Sequence, residues 1–394
     1  MKRLLLYFLL FFTLSSFSQN TLQFPIKNNP LPKDSDSLRV LLIGNSFTYD
    51  LTRFIGNILQ ASGIDNNTCC VYILWESGAS LTHWDKWYIE KDTFKLSKMG
   101  GNLDAAITEG TVQELLSQNW DVVSLQQSSS YSTDIDSYSP YLYDMIRYIK
   151  QDCTNKNVSI CWQLTWSYWD GIDKIVPKEE EGWKDIVATA DKMITKYGID
   201  IIIPSGTAVE NARKTRLNTP HSLTRDGHHM AYGVGQYLLA CTLFESLFAP
   251  VYNISILDNT ARPVIREKYK NDSKFEYVNV TDESARLCQQ CAIAAVADWH
   301  SITTVDTIAL KKPSFYIYPN PATDAITIRN TSFIEKFSRS IQIQLYDSRG
   351  NLLHYKKGFI IHNYEIDLSS FQAGHYFLIV TNNGESETFR FIKL

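Results

Sequence analysis

Between Arg39 and Leu247 the chain alternates apolar runs of strand length with longer stretches of helical period, and this alternation narrows the fold more than any other feature. Short apolar runs separated by helices bury both faces best as strands of a parallel sheet with helices above and below. The predicted strands are Arg39 to Ile43, Cys70 to Trp75, Val122 to Leu125, Val158 to Leu164 and Ile201 to Ile203. Helices are predicted over Leu51 to Ala61, Leu103 to Leu116, Leu142 to Gln151 and Trp183 to Tyr197. Right-handed crossovers then give an α/β fold, a three-layer α/β/α sandwich around a parallel five-stranded sheet. Chemistry in such open sheets gathers where the strands end and the loops leave for the helices.

Two segments carry residues suited to that edge. After the first predicted strand the chain reads Gly44-Asn45-Ser46-Phe47-Thr48, which sets Ser46 on a strand-to-helix turn. Gly44 permits a tight turn there, and the next helix offers free N–H groups to a developing oxyanion. A serine at such a turn is also a common helix cap. Near the end of the alternating region, Asp226-Gly227-His228-His229 precedes another helical run. An Asp three residues before a His can accept one ring N–H and leave the other nitrogen to face a serine. Taken alone, that pair reads as a solvated loop; together, the two segments reverse that reading and make a serine nucleophile with its base.

In content and order these pieces resemble the SGNH/GDSL hydrolases, over roughly Arg39 to Leu247. The resemblance is closest to a poorly characterised branch with Gly-Asn-Ser-Phe-Thr first, matched here by Gly44 to Thr48. Ser77 to Leu81, Leu125 to Gln127 and Pro204 to Ala208 match its later blocks. The resemblance implies Ser46 as nucleophile, His229 as base and Asp226 as its partner, with His228 a neighbour. It also implies an oxyanion hole from the Ser46 and Gly78 N–H groups and a third donor, which the family takes from an Asn. Here Gln126 and Gln127 stand in that place; Gln126 is preferred, and Gln127 remains open. A Gln amide makes the same hydrogen bond from one methylene further back. No metal or cofactor is needed. Arg213 and Arg225 read as surface arginines, with an anionic substrate group as the alternative. Trp75, Trp84, Trp87, Trp166 and Trp169 are placed near the site, to line a sugar cleft or an acyl pocket.

The ends differ from the middle. Met1-Lys2-Arg3 and the apolar run Leu4 to Phe12 lead to Ser16-Phe17-Ser18, the pattern of a signal peptide over residues 1–18 and too short for a bilayer span. Residues 37–302 are assigned to the hydrolase-like domain, 249–301 being an appendage that ends in a helix from Asp282 to Trp299. A linker, 303–312, leads to a last domain, 313–394. There, short strands are predicted at Ile326 to Arg329, Ile341 to Tyr346, Tyr364 to Leu368, Tyr376 to Thr381 and Thr388 to Ile392, with turns such as Asp347 to Asn351 and Asn382 to Gly384. This small β-sandwich resembles the type A C-terminal sorting domain of type IX secretion, on Tyr318 to Ala322, Leu345 to Gly350, Ala373 to Tyr376 and the terminal Phe391 to Leu394. The resemblance implies export through both membranes of a Gram-negative bacterium, with the secretion machinery as partner.

A formal charge of −4 gives no electrostatic reason for a nucleic-acid partner, and no later segment reads as membrane-spanning. Seven cysteines are too few and too scattered for a disulfide lattice, and Cys288 with Cys291 reads as core or a local disulfide. The resemblance to the SGNH/GDSL hydrolases implies ester hydrolysis through an acyl-enzyme, with O-acetylated carbohydrates as the leading substrate. A lipase or general esterase, and a catalytically silent glycan-binding protein, are the alternatives.

Overall fold

The computed structural model describes residues 27–32, 37–65, 67, 69–99, 106–169, 177–218, 223–257, 259–264, 277–305, 315–330, 341–358, 363–382 and 385–394. The predicted signal peptide and most of the predicted linker lie outside them. The chain divides into two compact units, Met1–Ile308 and Ala309–Leu394.

The first unit is built on a seven-stranded sheet of order β4-β3-β2-β1-β5-β6-β7. Five strands run parallel: β1 (Leu38–Gly44), β2 (Cys69–Trp75), β5 (Val122–Leu125), β6 (Ser159–Gln163) and β7 (Ile201–Ile203). These are the five predicted strands, buried on both faces as a covered parallel sheet requires. The other two, β3 (Thr93–Met99) and β4 (Ala106–Thr111), form an antiparallel hairpin on the β2 edge. This corrects the helix predicted over Leu103 to Leu116: among its described residues, 106–116, only α4 (Val112–Leu116) is helical. An edge hairpin buries little: β3 keeps just Leu96 and Met99 inside, so its apolar signal is thin.

Alternate residues of each strand feed two cores. Leu38, Val40 and Leu42 of β1 join one; Leu41 and Ile43 join the other. Against the first pack α1 (Ser46–Thr52), α2 (Ile55–Ala61), α7 (Ser205–Arg213), α8 (Val234–Leu243) and, later in the chain than α9 (Ala249–Tyr252), α10 (Asp282–Ala297). Against the second pack α3 (Leu81–Glu90), α5 (Tyr141–Asp152) and α6 (Glu179–Tyr197). The predicted helix Leu51 to Ala61 is broken at Arg53–Phe54. The stretch Val234–Tyr252 is long and apolar enough to cross a membrane, yet 89% of it is buried inside the fold, where it serves as the central helix of the first core. All seven cysteines are buried and unbridged; Cys288 and Cys291 lie on the packed face of α10. A short parallel pair, β8 (Tyr232–Gly233) with β9 (Tyr277–Val278), also belongs to the first unit.

In the second unit the named strands pair antiparallel among the described residues, and Ala322 makes an isolated parallel bridge to Lys393. One sheet has the order β10-β11-β14, from Phe315–Tyr318, Ala325–Asn330 and Asn363–Asp367; the other has the order β13-β12-β15-β16, from Leu352–Gly358, Ile341–Asp347, Gly374–Asn382 and Glu385–Lys393. Ile326, Ile328 and Ile366 of one sheet meet Ile343, Leu345, Leu378 and Val380 of the other in a shared core, a small sandwich. The sequence reading missed β10 and β13, both edge strands.

Candidate active site

Two connections at the carboxyl edge of the parallel sheet come together. The first begins at the end of β1. Asn45 caps α1: its side-chain oxygen accepts from the Phe47 N–H at 2.9 Å, while its amide donates to the Ala79 carbonyl at 3.0 Å. Because Asn45 does the capping, the hydroxyl of Ser46, the first residue of α1, is free to turn outward. Gly44 is needed here for a close approach, not for the predicted tight turn. A Cβ on it would lie 2.1 Å from Thr48 Oγ1 and 2.7 Å from Gln126 Cδ.

The second connection is the loop 224–230. Its neck closes where the Arg225 N–H donates to the His229 carbonyl at 3.0 Å, and Gly227, at φ +85°, makes the bend. From the sides, Trp166 Nε1 donates to the His228 carbonyl at 2.6 Å and the Trp169 N–H to the Gly227 carbonyl at 2.8 Å. Phe47 stacks on Trp166 with ring centroids 3.8 Å apart and meets the His229 ring edge-on at 5.9 Å. So held, His229 Nδ1 lies 2.7 Å from Asp226 Oδ2, and His229 Nε2 lies 2.8 Å from Ser46 Oγ. The Asp226 carboxylate also accepts the His229 N–H at 2.7 Å.

Burial pushes the Asp226 carboxyl up, but the hydrogen bonds and charge of His229, with His228 nearby, outweigh it and hold the group well below the usual carboxylate range. An anion in that place keeps the proton on Nδ1 and leaves Nε2 to accept from the serine. Asp226, His228 and His229 also bring ligand atoms within 4.8 Å of one another, the geometry of a possible cation site. A cation there would take the same atoms that join His229 to Asp226.

The oxyanion side is less complete. Gly78, at φ +69°, is exposed in the loop between β2 and α3. Gln127 is fully engaged: its oxygen accepts from the Leu81 N–H at 3.2 Å and the Ser128 N–H at 2.8 Å, and its nitrogen donates to Ser137. Gln126 keeps its nitrogen buried and unpartnered, while its oxygen accepts from Thr48 Oγ1 of α1 at 2.9 Å.

Other expectations change. Arg213 and Arg225 are not surface residues. Arg213 pairs with buried Glu210 and donates to Ser167, and Arg225 donates to buried Asp50 at 3.0 Å. Trp84 and Trp166 are core; Trp75, Trp87 and Trp169 are half-buried. Asn45 and Asp50 escaped the sequence reading. An Asp on a helix otherwise turned inward is the signal that points to Asp50.

Residues 39–306 match the family model described as a domain of unknown function, DUF4886. The chain belongs to that family. Residues 316–394 match a secretion system C-terminal sorting domain, so the DUF4886 unit travels with a tail that marks it for export. A DUF4886 family protein from Bacteroides uniformis is 25% identical with a TM-score of 0.58, the alignment covering 69% of this chain and 99% of that one. Structures named provisionally as an SGNH hydrolase from Slackia heliotrinireducens and a GDSL-like lipase from Parabacteroides merdae align at 18% and 16% identity, both with a TM-score of 0.38. They cover 53% and 56% of this chain and 98% of each of theirs. Likeness at that level says nothing about chemistry. A search of curated proteins found no match.

Proposed function

We propose that the DUF4886 unit is an exported serine esterase that hydrolyses acyl esters, with O-acetyl groups on carbohydrates as its leading substrate. The relay Asp226–His229–Ser46, with contacts of 2.7 and 2.8 Å, carries the reading. Ser46 Oγ attacks the ester carbonyl as His229 Nε2 takes its proton, and Asp226 steadies the imidazolium. The collapsing intermediate expels the alcohol, protonated by His229, and leaves an acyl-Ser46; water activated by the same imidazole releases the acid. The Ser46 and Gly78 N–H groups and the Gln126 amide are the oxyanion donors. The sorting domain supports export to the outside of the cell or its surface, where this reading expects decorated polysaccharides as esters, and the signal peptide and boundaries predicted above belong to the same reading.

A second reading, a weak or silent glycan-binding protein, draws on one observation: the Gln126 nitrogen is buried and makes no hydrogen bond. Acetate release from acetylated xylan and hydrolysis of a chromogenic acetyl ester, compared with Ser46→Ala and His229→Ala, decide between the two. The esterase loses about 10⁶-fold in kcat in either variant. A folded wild type inert on acetyl to decanoyl esters favours the glycan binder, a preference for long acyl chains removes the carbohydrate deacetylase, and activity that survives Ser46→Ala ends the mechanism.

A further inference from the structure

The nucleophile and its base sit on elements far apart in the chain, yet one buried carboxylate touches both. Asp50 lies on α1 one turn beyond Ser46 and is fully buried. Its Oδ2 accepts from the Met230 N–H at 3.0 Å, its Oδ1 from Gln236 Nε2 at 2.8 Å, and Arg225 Nη1 lies 3.0 Å from both oxygens. Arg225 and Met230 flank Asp226 to His229 on either side, and Arg225 Nη1 donates also to the Met230 carbonyl. Arg225 is itself almost buried, with its guanidinium 4.6 Å from the Tyr232 ring.

We propose that Asp50, through Arg225 and the Met230 N–H, is a positioning residue that sets the distance between Ser46 and His229. The inference rests on the esterase reading for its kinetic consequence, though the clamp itself does not. The carboxylate is the point where α1 and both ends of the base loop are tied together. With its three donors in place, the loop cannot slide along α1 without breaking a charge-assisted hydrogen bond in a dry interior. An Asn at position 50 presents one oxygen and an NH₂ group, and the NH₂ faces donors. The loop then shifts, and a misplacement of about 1 Å between reacting groups costs about 10²-fold in rate.

Asp50→Asn leaves Arg225 charged in the interior, so Asp50→Asn/Arg225→Met, which removes both charges, is prepared beside it, and folding is checked by circular dichroism and thermal melting. On the chromogenic acetyl ester, the folded variants are expected to lose about 10²-fold in kcat with KM little changed. In a His229→Ala background the same changes are expected to alter the residual rate by less than about twofold, because a residue that acts through His229 has nothing left to position. A general loss of structure instead lowers both backgrounds equally and overturns the proposal, as does an unchanged kcat in the wild-type background. The low-field proton resonance of His229 Nδ1, identified by its absence in His229→Ala, reads the clamp without any substrate. Its shift or loss in the variants supports the clamp even where the wild type hydrolyses no ester, an outcome that sinks the esterase reading alone. An unmoved resonance overturns the clamp.

Discussion

The two sides of the site are built differently. On the base side, the loop 224–230 is tied by its own neck, by Trp166 and Trp169 from outside and by Asp50 from below, so His229 meets Ser46 before any substrate arrives. On the oxyanion side, Gly78 is exposed in a loop joined to Asn45 through the Ala79 carbonyl, Gln127 is consumed in joining loops, and Gln126 rests on a single hydroxyl. Proton transfer needs two atoms held at a fixed short distance, which hydrogen bonds to a rigid loop provide. An oxyanion is stabilised best by donors already aimed at it, so an amide that is buried in the protein has to be released before it can serve.

The base side is broken most severely by Asp226→Asn. The amide favours the wrong imidazole tautomer, and kcat is expected to fall about 10⁴-fold, read on the chromogenic ester. The same variant has a pH signature. Since His229 holds the folded-state pKa of Asp226 below the ordinary carboxylate value, its stabilising contribution is fully present above that ordinary value and is lost as pH falls through the folded one. Melting temperatures of wild type and Asp226→Asn should therefore differ most at neutral pH and converge below about pH 4. Curves that stay parallel into acid would mean that the carboxylate is not held by His229.

On the other side, a pair of variants sharpens the contrast. Gln126→Leu is expected to lower kcat by about 10²- to 10³-fold if its amide is the third oxyanion donor. Gln127→Leu strands the buried N–H groups of Leu81 and Ser128, so it should cost about 1–3 kcal/mol of stability in denaturant melts while changing kcat far less. The reverse pattern would exchange the two roles.

This asymmetry also marks what the sequence discloses. The parallel strands were legible because burial on both faces forces continuous apolar runs, as in Leu38–Gly44, Cys69–Trp75 and Val122–Leu125. The β3–β4 hairpin was not, since an edge exposed to water tolerates Lys95, Lys98 and Glu109. Ser46, Asp226 and His229 could be picked out from their spacing, because the acid and base lie within one turn of chain and the serine follows a strand. What joins them could not: Asp50 finds Arg225 and Gln236 across 175 and 186 residues, and no local pattern encodes a contact of that range. Arg225 was misread for the same reason, as a lone charge in a polar loop looks like surface until its buried partner is known.

The smallest expected effect bears on how Gln126 is held. Thr48 Oγ1 lies 2.9 Å from the side-chain oxygens of both Gln126 and Gln163, and the nitrogens of both amides are buried without partners. A hydroxyl has one proton, so it satisfies one oxygen at a time; the other amide gains by turning over and donating to Oγ1. If Gln163 turns, the buried Gln126 nitrogen stays unspent; if Gln126 turns, it is spent on Thr48. Thr48→Val removes the hydroxyl at constant shape and leaves both amides loose. If Thr48 holds Gln126 ready, kcat should drop by about fivefold, the worth of about 1 kcal/mol, and Thr48→Ser should restore it. A rise in kcat for Thr48→Val would mean that the hydroxyl keeps the amide away from the substrate, which would account for a slow esterase with an intact base side.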